Sequence, residues 1–128
     1  MIERTFGMIK PDAVAAGKIG AIIQYVEGFN LTPVRLEMKQ LTRGQAAGLY
    51  AVHAGKDFFD GLVEFTCSGP VVLMAIKGSN AIARYRWVVE NVLRPTFGTS
   101  VRHNAAHGSD SPDAARAELA IFFPGLAS

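Results

Sequence analysis

The sequence predicts an α+β sandwich, in which one sheet carries helices packed against it. Residues 70–76 form an unbroken apolar run, PVVLMAI, as in a central strand that is covered on both faces. Apolar and charged residues alternate through residues 34–39, as in a strand with one solvated face. Ser111 followed by Pro112 is a strong start signal for a helix. Together these patterns indicate strands and helices in alternation.

The first strand is predicted over residues 3–9, because Pro11 disfavours the helical conformation at the residue before it. Apolar residues then recur at helical spacing from Ile19 to Val26, and this helix is predicted to end near Gly28. The alternating strand follows it.

Two helices are predicted between the alternating strand and the apolar strand. Thr42 and Gln45 form a capping box for the first helix, and Asp57 is predicted to cap the second. Three apolar residues of the second helix are expected to face the core: Phe58, Leu62 and Phe65.

The apolar strand is followed by a helix over residues 80–89. An irregular stretch is predicted over residues 90–104, where Pro95 and Gly98 interrupt the pattern, and a short strand over residues 105–109. The predicted order is strand, helix, strand, helices, strand, helix, strand, helix.

Length and composition fit one domain, residues 1–128, with 49% apolar residues to form its core. Neither a linker nor an internal repeat divides the chain. Cys67 stands alone, which excludes an intrachain disulfide framework, and it is expected to be a small buried residue. The charged amino-terminal residues do not resemble a signal peptide, and no apolar run is long enough to span a bilayer. A soluble cytoplasmic protein is expected.

The positive charge is concentrated in one region. Arg84, Arg86, Arg94 and Arg102 fall within nineteen residues that contain a single acid, Glu90. Such a cluster could bind phosphate from a nucleotide or from a nucleic acid backbone. A solvated helix face explains the same charges equally well.

His107 is the most informative residue of the sequence. Its neighbours in AAHG are too small to crowd the ring, and Ser109 and Asp110 add polar groups beside it. Glu118 lies about two turns into the last predicted helix, where its carboxylate could orient an imidazole or accept from a serine hydroxyl. An oriented neutral imidazole is a competent nucleophile or general base. The alternative is a turn histidine satisfied by local hydrogen bonds.

Other candidates have equally ordinary alternatives. Lys10 stands at a strand end before Pro11, where it could contact phosphate or be an exposed turn lysine. Tyr50 and Phe58 could be core aromatics or a plate for a nucleobase. The three histidines lack the spacing of a zinc site, and the chain contains no Gly-Lys-Ser/Thr phosphate loop.

Five segments, in this order, resemble the nucleoside diphosphate kinase family: ERTFGMIKPDAV, YAVH with FF soon after, LVEFTCSGPVVLMAI, GSNAIARYR and NAAHGSDSPDAARAEL. The resemblance covers nearly the whole chain, and its most specific part is the Asn-x-x-His-Gly-Ser-Asp-Ser signature. It implies a ferredoxin-like sandwich with a four-stranded antiparallel sheet. It also implies transfer of the γ-phosphate of a nucleoside triphosphate to a nucleoside diphosphate, by a ping-pong mechanism through a phosphohistidine.

The resemblance also implies roles for individual residues. His107 matches the nucleophile, and Ser109 and Glu118 match the pair that positions its ring. Positions that hold phosphates and ribose are matched by Lys10, Tyr50, Arg86, Arg94 and Asn104. Phe58 matches the aromatic residue that stacks on the base, with Val101 on its other side. The implied cofactor is Mg²⁺, which bridges the substrate phosphates and takes few protein ligands.

The implied partners are nucleoside di- and triphosphates and further copies of the chain, in a homo-oligomer built from dimers. Nucleic acid is not expected, because the predicted strands lack a pair of aromatic residues to stack bases. A regulatory relative that binds nucleotide without turnover is the competing interpretation. The intact set of His107, Ser109 and Glu118 argues against it, since binding alone would not require these residues.

The chain departs from the family between Arg86 and Arg94. Only WVVENVL lies there, in place of a longer loop that contains a Gly-Ala-Thr-Asn-Pro-like run, and the threonine that commonly contacts phosphate has no clear counterpart. The sequence also ends with FFPGLAS, without the longer tail of some members. Activity is expected to survive, and the shortened rim is expected to weaken nucleotide retention more than it slows phosphoryl transfer.

Overall fold

The structure is a computed structural model that describes residues 1–127, and its centre is a four-stranded sheet in the order β2-β3-β1-β4. Every neighbouring pair of strands is antiparallel. The strands are β1 (Ile2–Ile9), β2 (Thr32–Lys39), β3 (Val71–Ser79) and β4 (Ala106–Gly108). The predicted ferredoxin-like α+β sandwich is confirmed.

Helices cover both faces of this sheet. Their bounds are α1 (Pro11–Ala15), α2 (Ile19–Gly28), α3 (Arg43–Leu49), α4 (Phe59–Thr66), α5 (Ala81–Val88), α6 (Arg94–Phe97) and α7 (Pro112–Phe122). Helices α2 and α5 pack into one apolar core, and α3, α4 and α7 pack into the other. Within residues 1–127 no helix has the length and apolar character needed to cross a membrane.

Strand β3 contributes side chains to both cores, as its unbroken apolar run predicts. Val72, Met74 and Ile76 face the core beneath α2 and α5, whereas Val71, Leu73 and Ala75 face the other. A strand with alternating polar residues could not occupy this position, because both of its faces are buried.

Strand β2 differs from its prediction. It lies at the edge of the sheet, and its apolar residues Val34, Leu36 and Met38 are exposed alongside its charged residues. The expectation of a single solvated face is wrong for the chain by itself, because residues on both faces of this edge strand are exposed. An apolar strip is therefore left on the surface.

Two of the three predicted helix caps are formed in the structure. The Thr42–Gln45 capping box is formed in both directions, and the Ser111 hydroxyl accepts from the backbone N–H of Ala114. The predicted Asp57 cap is wrong, because Phe58 precedes α4 in a helical conformation and leaves no extended capping residue.

The predicted core face of α4 is only partly correct: Leu62 packs against the core as predicted, but Phe58 and Phe65 do not. The buried residues are Val63 and Thr66, whereas Phe58 is 45% exposed and Leu62 and Phe65 are only partly buried. The buried face of α4 therefore contains Val63 and Thr66, with Leu62 and Phe59 packed beside them.

The predicted irregular stretch over residues 90–104 is also partly wrong. Helix α5 continues into a π-helical turn, Val89–Leu93, and then directly into α6, so the chain is helical through residues 81–97. The short segment WVVENVL is therefore a helix rather than a loop. The irregular path begins at Gly98 and leads into β4.

Tyr85 of α5 packs onto a pair of glycines in the sheet. Gly7 of β1 and Gly108 of β4 are direct cross-strand partners, and the fully buried Tyr85 ring lies over both. A methyl group built on Gly7 would approach the ring to 2.8 Å, and one on Gly108 to 2.9 Å. The absence of side chains at these two positions makes room for the aromatic ring, whose hydroxyl donates to the carbonyl of His107 at 3.3 Å.

Candidate active site

A cleft of about 530 Å³ opens beside strand β4. It is lined by all seven residues that the resemblance assigns to nucleotide contacts and by the candidate nucleophile: Lys10, Tyr50, Phe58, Arg86, Arg94, Val101, Asn104 and His107. Ser109 and Glu118 lie behind His107 and do not line the cleft. The structure thus brings together ten residues that are scattered along the sequence.

The carboxylate of Glu118 holds both His107 and Ser109. Its Oε1 atom lies 2.7 Å from His107 Nε2 and accepts from the Ser109 hydroxyl at 2.8 Å. When this carboxylate is ionised it can only accept hydrogen bonds, and a neutral imidazole beside it then donates from Nε2 and has its lone pair on Nδ1. Ser109 is fully buried, which fixes one side of this carboxylate.

Two aromatic rings confine the imidazole. Tyr50 meets it edge-on, with ring centroids 5.7 Å apart, and Phe6 lies 6.0 Å away on a tilted plane. Burial raises the pKa of Tyr50 far above its ordinary value, so this phenol is neutral at physiological pH. The His107 ring is therefore held by packing as well as by its hydrogen bond.

Lys10 is buried, with 3% of its surface exposed, so the alternative of an exposed turn lysine is wrong. Its ammonium donates to the carbonyl of Arg102 at 2.9 Å and to the side-chain oxygen of Asn104 at 3.0 Å. An ammonium has three donors, so one is left for an anion in the cleft. Burial lowers the pKa of Lys10 to about 8, and the charges of Arg94 and Arg102 act in the same direction.

Asp12 is a functional candidate that the sequence reasoning missed. Its Oδ2 atom accepts from the backbone N–H of Ala105 at 3.0 Å, and the N–H of Lys10 donates to the carbonyl of Ala105 at 2.8 Å. Ala105 has a φ of 76°, an unfavourable conformation for a residue with a side chain. The Lys-Pro-Asp turn therefore holds the backbone that leads to His107, and the signal was the acid directly after Pro11.

Two arginines close the side of the cleft formed by the long helix. Arg86 donates to the carbonyl of Gly108 at 2.8 Å and to Glu90 at 3.1 Å, and Arg94 donates to the carbonyl of Ala106 at 3.3 Å. Burial lowers the pKa of Arg94, and the nearby charge of Arg86 adds to this effect. Both guanidinium groups are thus fixed by the protein at the border of the cleft.

Arg84 does not belong to the site. Its guanidinium donates to the carbonyls of Ser79 and Phe29, on the opposite side of the helix from the cleft. The basic cluster of the sequence is therefore divided between a structural arginine and cleft residues.

The mouth of the cleft is formed by exposed apolar residues. Phe58 is 45% exposed and Val101 is 94% exposed, so neither is explained as part of a core. His53 lies 5.2 Å from the Phe58 ring, and it lines the cleft together with Arg102 and His103. Sequence reasoning had not assigned these last three residues to the site, although Arg102 was part of the basic cluster.

The described residues provide no cage for a metal ion. Residues 1–127 contain no group of three or more His, Cys, Asp or Glu side chains arranged to hold one. Asp110 is the only carboxylate among the cleft-lining residues of this part of the chain. A cation in the cleft would have to take most of its ligands from a substrate and from water.

Fold and cleft together define a class of protein. A ferredoxin-like sandwich with a cationic cleft and a carboxylate-bound histidine is suited to phosphoryl transfer, in which positioning and charge neutralisation contribute most of the rate. Comparisons with known proteins give the family.

The nucleoside diphosphate kinase family model matches residues 3–127. The chain is 42% identical, over an alignment of 135 positions, to a nucleoside diphosphate kinase of Nitratidesulfovibrio vulgaris strain DP4, covering 98% of this chain and 97% of that protein. The solved nucleoside diphosphate kinase of Aquifex aeolicus superimposes with a TM-score of 0.93 at 36% identity, covering 99% of both chains. That of Halobacterium salinarum, solved with CDP, gives a TM-score of 0.91 at 37% identity, covering 96% of this chain and 88% of that one.

The chain belongs to the nucleoside diphosphate kinase family. It is an enzyme that transfers the γ-phosphate of a nucleoside triphosphate to a nucleoside diphosphate, by the ping-pong phosphohistidine mechanism of the family. Kinases of this family act with a divalent cation.

Burial of Lys10 predicts a specific dependence of stability on pH. The folded-state pKa is about 8 and the ordinary value is 10.5, so between these values the unfolded chain binds more protons than the folded one. The free energy of unfolding should therefore rise with pH across this window, relative to a Lys10→Met variant. Denaturant unfolding at several pH values between 8 and 10.5 measures the difference. Lys18→Met, at an exposed position, is the control, and equal slopes for wild type and Lys10→Met would contradict the assignment.

Proposed function

We propose that His107 is the residue that accepts the phosphoryl group and that the nucleotide occupies the cleft described above. The observation that carries the proposal is the 2.7 Å contact between His107 Nε2 and Glu118. It supports the role because it leaves Nδ1, on the other side of the ring, as the nitrogen with a lone pair toward the cleft.

In the first half-reaction, Nδ1 attacks the γ-phosphorus in line with the bond to the departing oxygen. The N–P bond forms as the P–O bond to the β-phosphate breaks, and the nucleoside diphosphate leaves. The imidazole gains positive charge in this step, and the Glu118 carboxylate stabilises that charge at Nε2. The second half-reaction reverses these bonds with a different nucleoside diphosphate as acceptor.

The cations of the cleft have a distinct role. Charge spreads over the oxygens of the transferred group in the transition state, and Arg86, Arg94 and Lys10 provide fixed positive charge at that position. The side-chain oxygen of Asn104 accepts a hydrogen bond from Lys10, and the Asn104 side chain held in this way would contact the ribose. Tyr50 confines the imidazole beside the phosphates. These contacts favour one orientation of the attacking nitrogen and the phosphorus.

Phe58 and Val101 are proposed to hold the base between them. Their exposure at the cleft mouth supports this role, since a stacked base would cover apolar surface that the chain leaves open. Stacking reads few base edges, so the site should accept several bases. The presence of CDP in the halobacterial relative shows that a relative binds a nucleoside diphosphate.

Mg²⁺ is the proposed divalent cation. The residues fit a cation that arrives on the nucleotide, because Asp110 is the single carboxylate that lines the described part of the cleft and few protein ligands are needed. Bound Mg²⁺ would neutralise and orient the phosphates. The cytoplasmic location predicted from the sequence stays a prediction.

We also propose a homo-oligomer built from dimers. The apolar strip of Val34, Leu36 and Met38 on the edge strand β2 supports this proposal, because an exposed edge of this kind favours pairing with another chain. The strip adjoins neither His107 nor the residues that line the cleft.

Incubation with ATP labelled at the γ-phosphate tests the role of His107. The wild type should take up label as a phosphoramidate that is lost in acid, and His107→Ala should take up none. Glu118→Gln should label about 10- to 100-fold more slowly, because it loses a charge-assisted hydrogen bond to the ring.

His103→Ala is the matched control, since His103 lines the same cleft but meets the Phe65 ring edge-on. It should label at a rate close to that of the wild type. Equal labelling of the wild type and His107→Ala would remove His107 as the acceptor.

The oligomer is tested by mass measurement in solution. Leu36→Lys places a charge at the centre of the exposed strip and should shift the species toward monomer at equal concentration. Lys39→Ala, at the end of the same strand, is the control and should leave the mass unchanged. A monomeric wild type would contradict the proposal.

The short connection between Arg86 and Arg94 should affect retention of nucleotide more than chemistry. In single-turnover experiments we expect weak binding and rapid transfer of bound phosphate. Tight binding followed by a slow chemical step would contradict this expectation.

A further inference from the structure

Arg86 and Arg94 reach the same strand from one helix, although their positions are eight residues apart. Arg86 bonds the carbonyl of Gly108, and Arg94 bonds that of Ala106. Carbonyls two residues apart in a strand point in the same direction, so both guanidinium groups lie along one edge of β4. The two side chains must therefore leave the helix on the same face.

A regular α-helix would not place them so. At 3.6 residues per turn, eight residues advance by about 800°, which is about 80° beyond two full turns. Seven residues would give nearly two turns. An unbroken α-helix over this segment would turn Arg94 away from Arg86 and from the cleft.

The π-helical turn removes this difference. In Val89–Leu93 the backbone N–H of Arg94 donates to the carbonyl of Val89, five residues earlier. Such a turn holds one more residue than an α-turn. The helix therefore completes two turns in eight residues, and Arg94 returns to the face of Arg86.

The sequence explains why the extra residue lies here. Pro95 has no N–H, and its ring disfavours a regular bond to the carbonyl of Asn91, four residues earlier. Val89 and Leu93 are fully buried, which fixes the helix on both sides of the turn, whereas Glu90 and Asn91 are exposed. The additional residue is accommodated on the solvent side without disturbing the core.

We infer that the π-helical turn is the element that positions Arg94 for phosphate. It keeps two cations in phase on one rigid helix, so both are aimed at the cleft before nucleotide arrives. The inference rests on the phosphate role proposed above for Arg94.

Two changes at one site test the inference. Deletion of Asn91 leaves seven residues from Arg86 to Arg94, close to two α-turns, so kcat/KM for phosphoryl exchange should stay within about threefold of wild type. Insertion of one alanine after Asn91 rotates Arg94 by about 100° away from the cleft. It should lower kcat/KM by about 10- to 100-fold, because this is the typical effect of losing a hydrogen bond to a charged group.

Second substitutions separate positioning from general damage. In the insertion variant, Arg94→Ala should cost no more than about twofold, because the guanidinium has already left the cleft. Arg86→Ala, which precedes the turn, should still lower kcat/KM by about 10-fold or more in the same variant. A merely destabilised helix would not distinguish these two arginines.

The outcomes are distinct. Deletion as harmful as insertion, or insertion without effect, would overturn the role of the turn. If circular dichroism shows that the insertion variant does not fold, the deletion variant provides the test. Arg94→Ala must then lower kcat/KM of the deletion variant as much as it lowers kcat/KM of the wild type. Arg94→Ala in the unaltered chain tests the phosphate role separately, and no effect there would remove that role and the inference with it.

Discussion

Strand β4 is only three residues long, and its pairing with β1 alone cannot hold a reacting side chain in place. The rest of the cleft depends on how this constraint is met. Glu118 holds the His107 ring from α7, Arg86 and Arg94 bond the neighbouring carbonyls from the long helix, and Lys10 fixes the preceding backbone. The position of His107 is thus a property of three other elements as well as of its own strand.

The same contacts create an electrostatic cost. Lys10 and Arg94 are desolvated near other positive groups, and the pKa of each is lowered by its burial. Backbone carbonyls and the Asn104 side chain offset part of this cost, but carbonyl dipoles do not neutralise a charge. A bound polyphosphate supplies the missing negative charge, so nucleotide should raise the free energy of unfolding, and this increase should grow with the logarithm of the nucleotide concentration above its Kd.

Signals that depend on a few neighbouring residues predicted their structures correctly, such as the Thr42 capping box, the Ser111 start of α7 and the apolar run of β3. The Asp57 cap was predicted but does not form, and the π-helical turn was not predicted, because the path of the chain at both places depends on distant packing. The burial of Lys10 depends on the backbone of Arg102, which no local pattern connects to it. Spacing alone left the site residues undecided, and only the family signature selected them; the structure then placed them around one cleft.

The packing of Tyr85 over Gly7 and Gly108 limits how relatives of this chain can diverge. Any side chain at position 7 meets the aromatic ring, and a smaller residue at position 85 would leave a void above two bare glycines. A large-to-small change of this kind typically costs about 3–5 kcal/mol. A larger residue at either strand position requires a smaller residue at position 85. Positions 7, 85 and 108 should therefore change together. The packing beneath the proposed nucleophile His107 is in this sense a joint property of three positions in the sequence.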